Sequence, residues 1–393
     1  MAGVITRPKI AVVVPKYGLV GGGERFVLEL TERLAQTSRF DLHVFAQAWQ
    51  GATKSALTFH RLSVIPFPKW LTPLSFAWSA SRAIAAAGDF SLIHAHERIL
   101  RADICSQHFV PHRFWVREIR GKRVLSLFDL ATCWLERRML AGPTPCRAVL
   151  PVSSLAKACL LRSYPLPGAL VETVHPGVDG AFFKPREEGA REGLRLELGL
   201  AKDDVVILFV AMNFELKGLD LLLEAVSRMK KKAWGQRVKV LVVGKGRERK
   251  FKQLAGELGI GDAVCFAGVR RDMASIYQAG DLLVLLSGFD TFGMVVAEAM
   301  AAALPVIVSS QVGARDLVRE AENGFVVERL DRKQVDAALW GCLGDQTRYR
   351  SMQASARKTA QALSWEAVAA RVAAIYEQLL ALSPSNRPGQ QNS

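Results

Sequence analysis

The stretch KIAVVVPKYGLVGGGERFVLEL, residues 9–30, decides the fold class of this chain. Ile10 to Val14 form a continuous apolar run, which is typical of a strand buried on both faces of a parallel sheet. The glycines Gly21 to Gly23 follow, and residues 24–34 then carry apolar side chains at helical spacing. Residues 42–45 are apolar again. The stretch therefore predicts a strand, a glycine loop, a helix and a second strand, the βαβ unit of a doubly wound α/β domain.

The same pattern starts again after residues 164–185, a segment rich in proline and glycine that we interpret as a linker. Short buried strands are predicted before and after it, over residues 91–94, 148–152, 205–210, 238–243, 263–266, 282–286 and 305–308. We therefore predict two Rossmann-like domains, residues 1–178 and 179–364. A final helix over residues 365–383 is expected to pack back on the first domain, and residues 384–393 are expected to be a disordered tail.

Composition excludes several classes of protein. The 393 residues include 52 basic and 37 acidic side chains, a net charge of +15, and half of them are hydrophobic, which excludes a disordered or collagen-like chain. The six cysteines form no C-x-x-C pair and have no zinc-like spacing with histidines, so we expect a reducing cytosol. No apolar run approaches the ~18 residues of a membrane span, and we expect neither a signal peptide nor a transmembrane segment. The charge alone leaves nucleic acid, an anionic membrane and an acidic substrate open as partners.

The glycine loop is a candidate phosphate site, because glycine lets backbone N–H groups and a helix N-terminus approach an anion. Its spacing matches neither the dinucleotide fingerprint nor the P-loop, and a merely structural tight turn is the alternative. A second motif is GFDTFGMVVAEAM, residues 288–300. It predicts a loop with Asp290, a helix that starts at Gly293, and Glu298 inside that helix among apolar residues.

A carboxylate in apolar surroundings needs partners, and the paired hydroxyls of a ribose or hexose are suitable donors. The backbone N–H groups from Phe292 to Val295 could donate hydrogen bonds to a diphosphate. The alternative is that Asp290 only caps the helix and Glu298 only bonds to the backbone.

Taken together, the motifs resemble the family 4 retaining glycosyltransferases of the GT-B fold, in which two Rossmann-like domains face each other across a cleft. The motifs that carry this resemblance are the glycines at 21–22, SLIHAH at 91–96, PVSS at 151–154, HPGVD at 175–179, KG at 217–218, VGKG at 243–246 and the acids at 290 and 298. Within the family, KY at 16–17, AQAW at 46–49 and RADIC at 101–105 are most similar to the members that add α-1,3-linked glucose to heptose of the lipopolysaccharide core.

The resemblance implies that Glu298 binds the nucleotide ribose, Asp290 the donor sugar and Lys217 the diphosphate. It also implies that further positions bind the donor, namely Gly21, Gly22, Gly244, Val269, Phe292, Gly293, Met294 and Val295. Two positions where relatives carry cations are occupied here by Met212 and Leu216. Lys217 would then carry more of the leaving-group charge, or Arg25 or Lys245 would substitute.

For the acceptor side, the resemblance makes Asp103 the base or acceptor-orienting group, with His108 as its substitute. The alternative is that either residue only orients a loop. His94 and His96 alternate at a strand end, where a structural role is more common than a catalytic one. The chain contains no Asp-x-Asp triplet to hold a divalent ion. We therefore expect transfer without a metal or cofactor, with Lys217, Asp290 and Asp103 as the catalytic residues.

The implied activity is retaining transfer of a hexose, glucose from UDP-glucose, to a lipid-linked acceptor such as the heptose region of lipopolysaccharide core. Another glycolipid or an exopolysaccharide is the alternative acceptor. A nucleotide-dependent oxidoreductase and a nucleic-acid-binding protein are rival classes, but the dinucleotide fingerprint and any nucleic-acid recognition motif are absent.

We expect a cytoplasmic protein bound peripherally to the inner face of the cytoplasmic membrane. Residues 113–123 carry five basic side chains against one acidic, a local charge of +4, beside Phe114 and Trp115. Trp70, Phe76 and Trp78 are predicted to add an aromatic cluster. Basic residues interleaved with aromatics suit an anionic membrane surface, and a solvated basic helix is the alternative.

Overall fold

The apolar runs of the sequence form the strands of two parallel sheets. The structure is a computed structural model that describes residues 7–18, 21–50, 55–185, 187–231 and 233–382. It divides into one unit of residues 1–177 and 365–393 and a second unit of residues 178–364. The predicted domain boundary differs from this division by one residue. The predicted tail, residues 384–393, lies outside the described residues.

The first unit is built on a seven-stranded sheet of order β5-β3-β1-β6-β7-β8-β9, with a separate pair β2-β4. Its strands are β1 Lys9–Val13, β2 Lys16–Tyr17, β3 Asp41–Ala46, β4 Ala48–Trp49, β5 Thr58–Arg61, β6 Leu92–Ala95, β7 Ile104–Gln107, β8 Ala148–Pro151 and β9 Leu170–Val171. Its helices are α1 Gly22–Gln36, α2 Leu71–Ala86, α3 His112–Phe114, α4 Leu127–Ala141 and α5 Ser154–Ser163, and a π-helix spans Trp115–Ile119.

The second unit is built on a six-stranded sheet of order β12-β11-β10-β13-β14-β15. Its strands are β10 Val205–Ala211, β11 Val238–Gly244, β12 Val264–Gly268, β13 Leu282–Leu285, β14 Val306–Ser309 and β15 Gly324–Val327. Its helices are α6 Glu188–Glu197, α7 Leu219–Lys230, α8 Glu248–Glu257, α9 Met273–Ala279, α10 Met294–Ala301, α11 Arg332–Leu343 and α12 Gln346–Gln361. Single 3-10 turns span Ala233–Arg237, Gly261–Ala263 and Gly313–Leu317.

The last helix, α13 Trp365–Ala381, belongs to the first unit, where it packs on α1. Arg33 of α1 donates to Glu366 at 2.9 Å, and the buried His94 of β6 shares a hydrogen bond of 2.6 Å with Tyr376. The buried side of α13 is apolar and aromatic, and Trp365 and Tyr376 are fully buried. Among the described residues, no helix is long and apolar enough to cross a bilayer.

Both sheets reverse their strand order beside the first strand of the unit. In the first sheet the chain moves outward from β1 to β3 and β5 and then returns to β6 on the other side of β1. In the second, β10, β11 and β12 run outward before β13 pairs with β10. All pairs are parallel, so the carboxyl ends of the strands share one edge, and ligands of such sheets bind at this edge beside the point of reversal.

The predicted linker over residues 164–185 is only partly a linker. Leu170 and Val171 form β9, which pairs with β8 through Val149 and Val171, and the division between the units falls after residue 177. The strands β5 and β7 were also not predicted, because their short sequences mix polar and apolar residues. The short apolar strand β15 was not predicted either. Phe76 is buried in the core rather than exposed beside Trp78, so the predicted aromatic surface cluster is wrong at that position.

Candidate active site

Lys217 and Asp290 meet at the carboxyl edge of the second sheet, where the strand order reverses. Lys217 lies in the loop after β10 and Asp290 in the loop after β13. The Lys217 Nζ lies 2.5 Å from Asp290 Oδ2, and both side chains are 19% exposed. The sequence places the two residues 73 positions apart, and only the pairing of β10 with β13 makes them neighbours.

Backbone contacts hold these two loops together. The Gly288 N–H and the Ser287 hydroxyl both donate to the Leu216 carbonyl, at 3.0 and 3.1 Å. Gly218, the residue after Lys217, has φ +76°, and a Cβ there would lie 2.3 Å from the Leu286 carbonyl oxygen. Glycine is therefore required at this position both by its backbone conformation and by the close approach of the second loop.

The helix α10 begins directly after Gly293, whose φ of +90° is left-handed. The Asp290 carboxylate accepts a hydrogen bond from the Phe292 N–H at 3.3 Å, and the Phe292 side chain is buried. The Phe292 N–H that was predicted to face a diphosphate is thus engaged by Asp290 in this structure. Met294 and Val295, in the first turn of α10, have half-buried side chains.

Glu298 lies in the second turn of α10 and has a partner that the sequence did not indicate. The hydroxyl of Tyr277, on α9, donates to Glu298 Oε2 at 2.7 Å. The apolar surroundings of Glu298 predicted that a donor was needed. Which residue supplies it depends on how α9 and α10 lie beside each other, and no local signal identifies Tyr277.

The remaining predicted donor positions of the second unit also lie at the carboxyl edge of its sheet. Gly244 ends β11 with φ +121°, and a Cβ there would lie 1.8 Å from the Ala211 carbonyl oxygen, so packing alone already requires glycine. Val269 follows β12 and is 62% exposed, and Met212 follows β10 and is 65% exposed. The position at which the resemblance implies a cation is therefore an exposed methionine. Of the two alternative cations, Lys245 is exposed after β11 in the second unit. Arg25 belongs to α1 of the first unit, where its Nε lies 3.8 Å from Glu29 Oε1.

In the first unit, the glycine loop meets His108. Gly21 and Gly22 begin α1, and a Cβ on Gly23 would lie 3.5 Å from the His108 side chain, which follows β7. Residues 19–20 of the loop lie outside the described part. His96 Nδ1 and His108 Nε2 share a hydrogen bond of 2.9 Å, and Phe26 packs edge-on against His108. Burial lowers the pKa of His108 to about 4 and that of His94 to about 3, so both imidazoles are neutral at pH 7.

Asp103 does not lie at this edge, which contradicts its predicted role at the acceptor. It precedes β7, at the amino end of that strand, whereas Gly21, His96 and His108 follow carboxyl ends. Its carboxylate accepts from the Ile93 N–H at 2.8 Å, and its carbonyl accepts from the Arg147 N–H at 2.8 Å. These contacts tie β6, β7 and β8 together, so Asp103 has a structural role, and His108 is the residue at the correct edge.

Both units match glycosyltransferase families. Residues 20–182 match the model "Glycosyltransferase Family 4", and residues 190–359 match "Glycosyl transferases group 1". WaaG, a glycosyltransferase involved in lipopolysaccharide biosynthesis, superimposes with a TM-score of 0.78 at 20% identity, covering 93% of this chain and 99% of WaaG. The chain has the GT-B glycosyltransferase fold. The fold class predicted from the sequence is thereby confirmed.

Other structures with this fold include HepE of Anabaena in complex with UDP and glucose. Its TM-score is 0.73 at 19% identity, over 95% of this chain and all of HepE. At such identities the likeness concerns the fold alone.

Curated relatives with higher identity are D-inositol 3-phosphate glycosyltransferases. That of Geodermatophilus obscurus is 38% identical over 230 residues, 55% of this chain and 50% of the relative. That of Corynebacterium kroppenstedtii is 33% identical over 227 residues, 56% of this chain and 50% of the relative. The chain thus spans about half the length of these relatives.

Proposed function

We propose that the protein is a retaining, metal-independent hexosyltransferase that moves glucose from UDP-glucose to the heptose region of a lipid-linked lipopolysaccharide core. The observation that carries the donor half of this proposal is the contact of 2.5 Å between Lys217 and Asp290. It lies at the carboxyl edge, beside the reversal of strand order and next to the start of α10, which is the usual ligand position in such sheets. A cation and a helix N-terminus at one place suit a diphosphate.

In this mechanism the departing diphosphate is the group that the protein must stabilise. The acceptor hydroxyl attacks the face of the sugar that the nucleotide leaves, so the configuration is retained. The new bond forms at the anomeric carbon as the bond to the diphosphate breaks, and the hydroxyl proton passes to the departing diphosphate oxygen. Lys217 neutralises the charge that develops on the leaving group. The first turn of α10, at Met294 and Val295, stabilises the same charge through the partial positive charge of the helix N-terminus. Asp290 holds the Lys217 ammonium and binds hydroxyls of the donor sugar, and Glu298 binds the ribose. Gly244 and Val269 line the donor site on the neighbouring strands.

On the acceptor side we assign the orienting role to His108. Its imidazole is neutral at pH 7, so it can accept a hydrogen bond from an acceptor hydroxyl, and its bond to His96 fixes the ring. It packs against Gly23 at the start of α1, next to Gly21 and Gly22. A helix N-terminus of this kind can donate backbone N–H groups to an anion.

The first unit also carries a surface that suits an anionic membrane. Arg113, Arg117, Arg120 and Arg123 are exposed on and after α3 and the π-helix. Directly after them, Val124 is 82% exposed, and Leu127, Leu130 and Trp134 form an exposed apolar stripe on one face of α4. The cations attract anionic lipid headgroups, and the neighbouring apolar side chains can insert below those headgroups. We therefore propose a cytoplasmic enzyme bound at the inner face of the membrane, where a lipid-linked acceptor resides.

A soluble inositol 3-phosphate is the second candidate acceptor, favoured by the names of the curated relatives. The purified protein should be incubated with UDP-glucose and either lipopolysaccharide core lacking its outer hexoses or inositol 3-phosphate, and the products analysed by mass. A hexose added to the core alone supports the proposal, whereas a product from inositol 3-phosphate alone supports the second candidate. The same reaction with UDP-, GDP- and ADP-sugars tests the donor, and NMR of the product tests retention. Strong inhibition by EDTA, restored by magnesium or manganese, would contradict the metal-independent mechanism.

The membrane surface is tested by co-sedimentation with vesicles. Binding to anionic vesicles should exceed binding to neutral ones and should weaken with salt, because the Debye length falls from ~10 Å at 0.1 M to ~3 Å at 1 M. Changing Arg117, Arg120 and Arg123 to Glu should abolish binding to anionic vesicles. The control makes the same change at three exposed cations of α8 in the second unit and should not affect binding; these are Arg249, Lys250 and Lys252. Equal binding to both lipids would contradict the membrane role.

A further inference from the structure

Tyr277 is buried beside the donor-binding acid Glu298 and outside every motif in the sequence. It lies on α9, its side chain is fully buried, and its hydroxyl donates to Glu298 Oε2 at 2.7 Å. Phe183 packs edge-on against its ring, with the ring centroids 5.5 Å apart. The phenol is therefore held in one place by packing before any nucleotide arrives.

A fixed donor restricts the carboxylate that it contacts. Glu298 has several rotatable bonds, and turning its carboxylate away would break a charge-assisted hydrogen bond inside a largely apolar region. A carboxylate accepts hydrogen bonds at both of its oxygens, so the Tyr277 phenol and ribose hydroxyls can donate to it together.

We propose that Tyr277 is a positioning residue for nucleotide binding, which holds the Glu298 carboxylate in the orientation that accepts both ribose hydroxyls. The inference rests on the proposed function, in which Glu298 binds the ribose. Tyr277 itself does not contact the nucleotide: it acts through Glu298, so its effect depends on the ribose hydroxyls.

The test compares two ligands by calorimetry, UDP and 2′,3′-dideoxyuridine diphosphate, on the full chain. Tyr277→Phe keeps the ring and removes only the hydroxyl. It should weaken UDP binding roughly five- to tenfold, about 1.0 to 1.4 kcal/mol, and leave binding of the dideoxy analogue unchanged. In a Glu298→Ala background the same change should alter UDP affinity less than about twofold, because the residue through which it acts is gone.

Tyr349→Phe is the matched control. Tyr349 is buried in the same unit, and its hydroxyl donates to the Asp281 carbonyl at 2.9 Å, away from the acid pair. The Tyr349 hydroxyl also accepts a longer hydrogen bond from Gln353 Nε2 at 3.3 Å. The variant loses both bonds and should leave the affinities for both ligands unchanged. A general loss of stability would affect both tyrosine variants alike, and thermal unfolding of each measures that loss.

Failure of the inference is distinguishable from failure of the proposed function. If Glu298→Gln leaves UDP affinity unchanged, the ribose assignment itself is wrong. If Glu298→Gln weakens UDP binding but Tyr277→Phe does not, the positioning role is overturned and the proposed function stands. Equal weakening of UDP and the dideoxy analogue by Tyr277→Phe, or a full loss in the Glu298→Ala background, also overturns the positioning role.

Discussion

Replacing Lys217 with alanine should impair both turnover and donor binding, because the ammonium contacts Asp290 and, in the proposed complex, also the diphosphate. The first effect is the loss of the cation, which by analogy with a lost oxyanion donor raises the barrier to transfer by about 3 kcal/mol. The second is that Asp290 loses its partner at 2.5 Å, and its charge then faces the diphosphate directly.

The second effect can be estimated from the geometry. If a phosphate oxygen and Asp290 contact the same ammonium, they lie at most about 5 Å apart, and two unit charges at that distance repel by roughly 3 kcal/mol at an effective dielectric constant of about 20. UDP affinity of Lys217→Ala should therefore fall by about two decades. Adding Asp290→Asn to Lys217→Ala should raise the UDP affinity again by at least about tenfold. Alone, Asp290→Asn should leave UDP affinity equal or higher, while turnover falls because the sugar loses a charged acceptor.

Calorimetric titration of UDP into the native protein, the two single variants and the double variant provides the complete cycle. Steady-state rates with UDP-glucose on the same proteins separate turnover from binding. Additivity of the two substitutions within about 0.5 kcal/mol would mean that the ion pair is not part of the UDP site. An unchanged UDP affinity in Lys217→Ala would refute the diphosphate assignment itself.

Three further predictions concern the ribose acid, the glycine between the loops and the buried histidines. Glu298→Gln should weaken UDP binding by one to two decades, because hydrogen bonds to a charged acceptor contribute about 1.5 to 3 kcal/mol, and calorimetry measures the change. Gly218→Ala should lower the free energy of unfolding of the second unit by about 1 to 3 kcal/mol, because the backbone there is left-handed and a Cβ would clash with the Leu286 carbonyl. Gly256→Ala, inside α8 with open space around it, should not lower this free energy, and urea titrations compare the two variants. The folded protein holds the pKa of His94 at about 3 and that of His108 at about 4, below the ~6.5 of an unfolded chain. It therefore binds fewer protons than the unfolded chain, so stability is complete above pH 6.5 and falls by about 1 to 2 kcal/mol per histidine down to pH 5. Urea unfolding at pH 7.5 and 5.0 should show this drop, and an equal drop in His108→Gln would exclude His108 as a source.

The sequence by itself determined the local elements and the presence of two Rossmann-like halves. Continuous apolar runs such as Ile10 to Val14 and Val205 to Val210 match the strands β1 and β10 within one residue at each end. This works because a strand buried on both faces needs nearly every residue to be apolar, so the signal is local. The position of Gly293 before a helix and of Glu298 inside it was also predictable. A glycine-containing loop followed by a run of Met, Val and Ala is also a local pattern.

Only the tertiary structure decided which residues meet. The contact of Lys217 with Asp290 depends on β10 pairing with β13, and that of Tyr277 with Glu298 depends on how α9 lies beside α10. The expectation for Asp103 failed for the same reason: a sequence motif does not state at which edge of the sheet a residue lies, and this one precedes its strand. Phe76 belongs to the core and Trp78 to the surface, although they are two residues apart on α2. Secondary-structure propensity and hydrophobic periodicity depend on a few neighbouring residues. A binding site depends on strand order, which brings distant parts of the chain to one edge of the sheet.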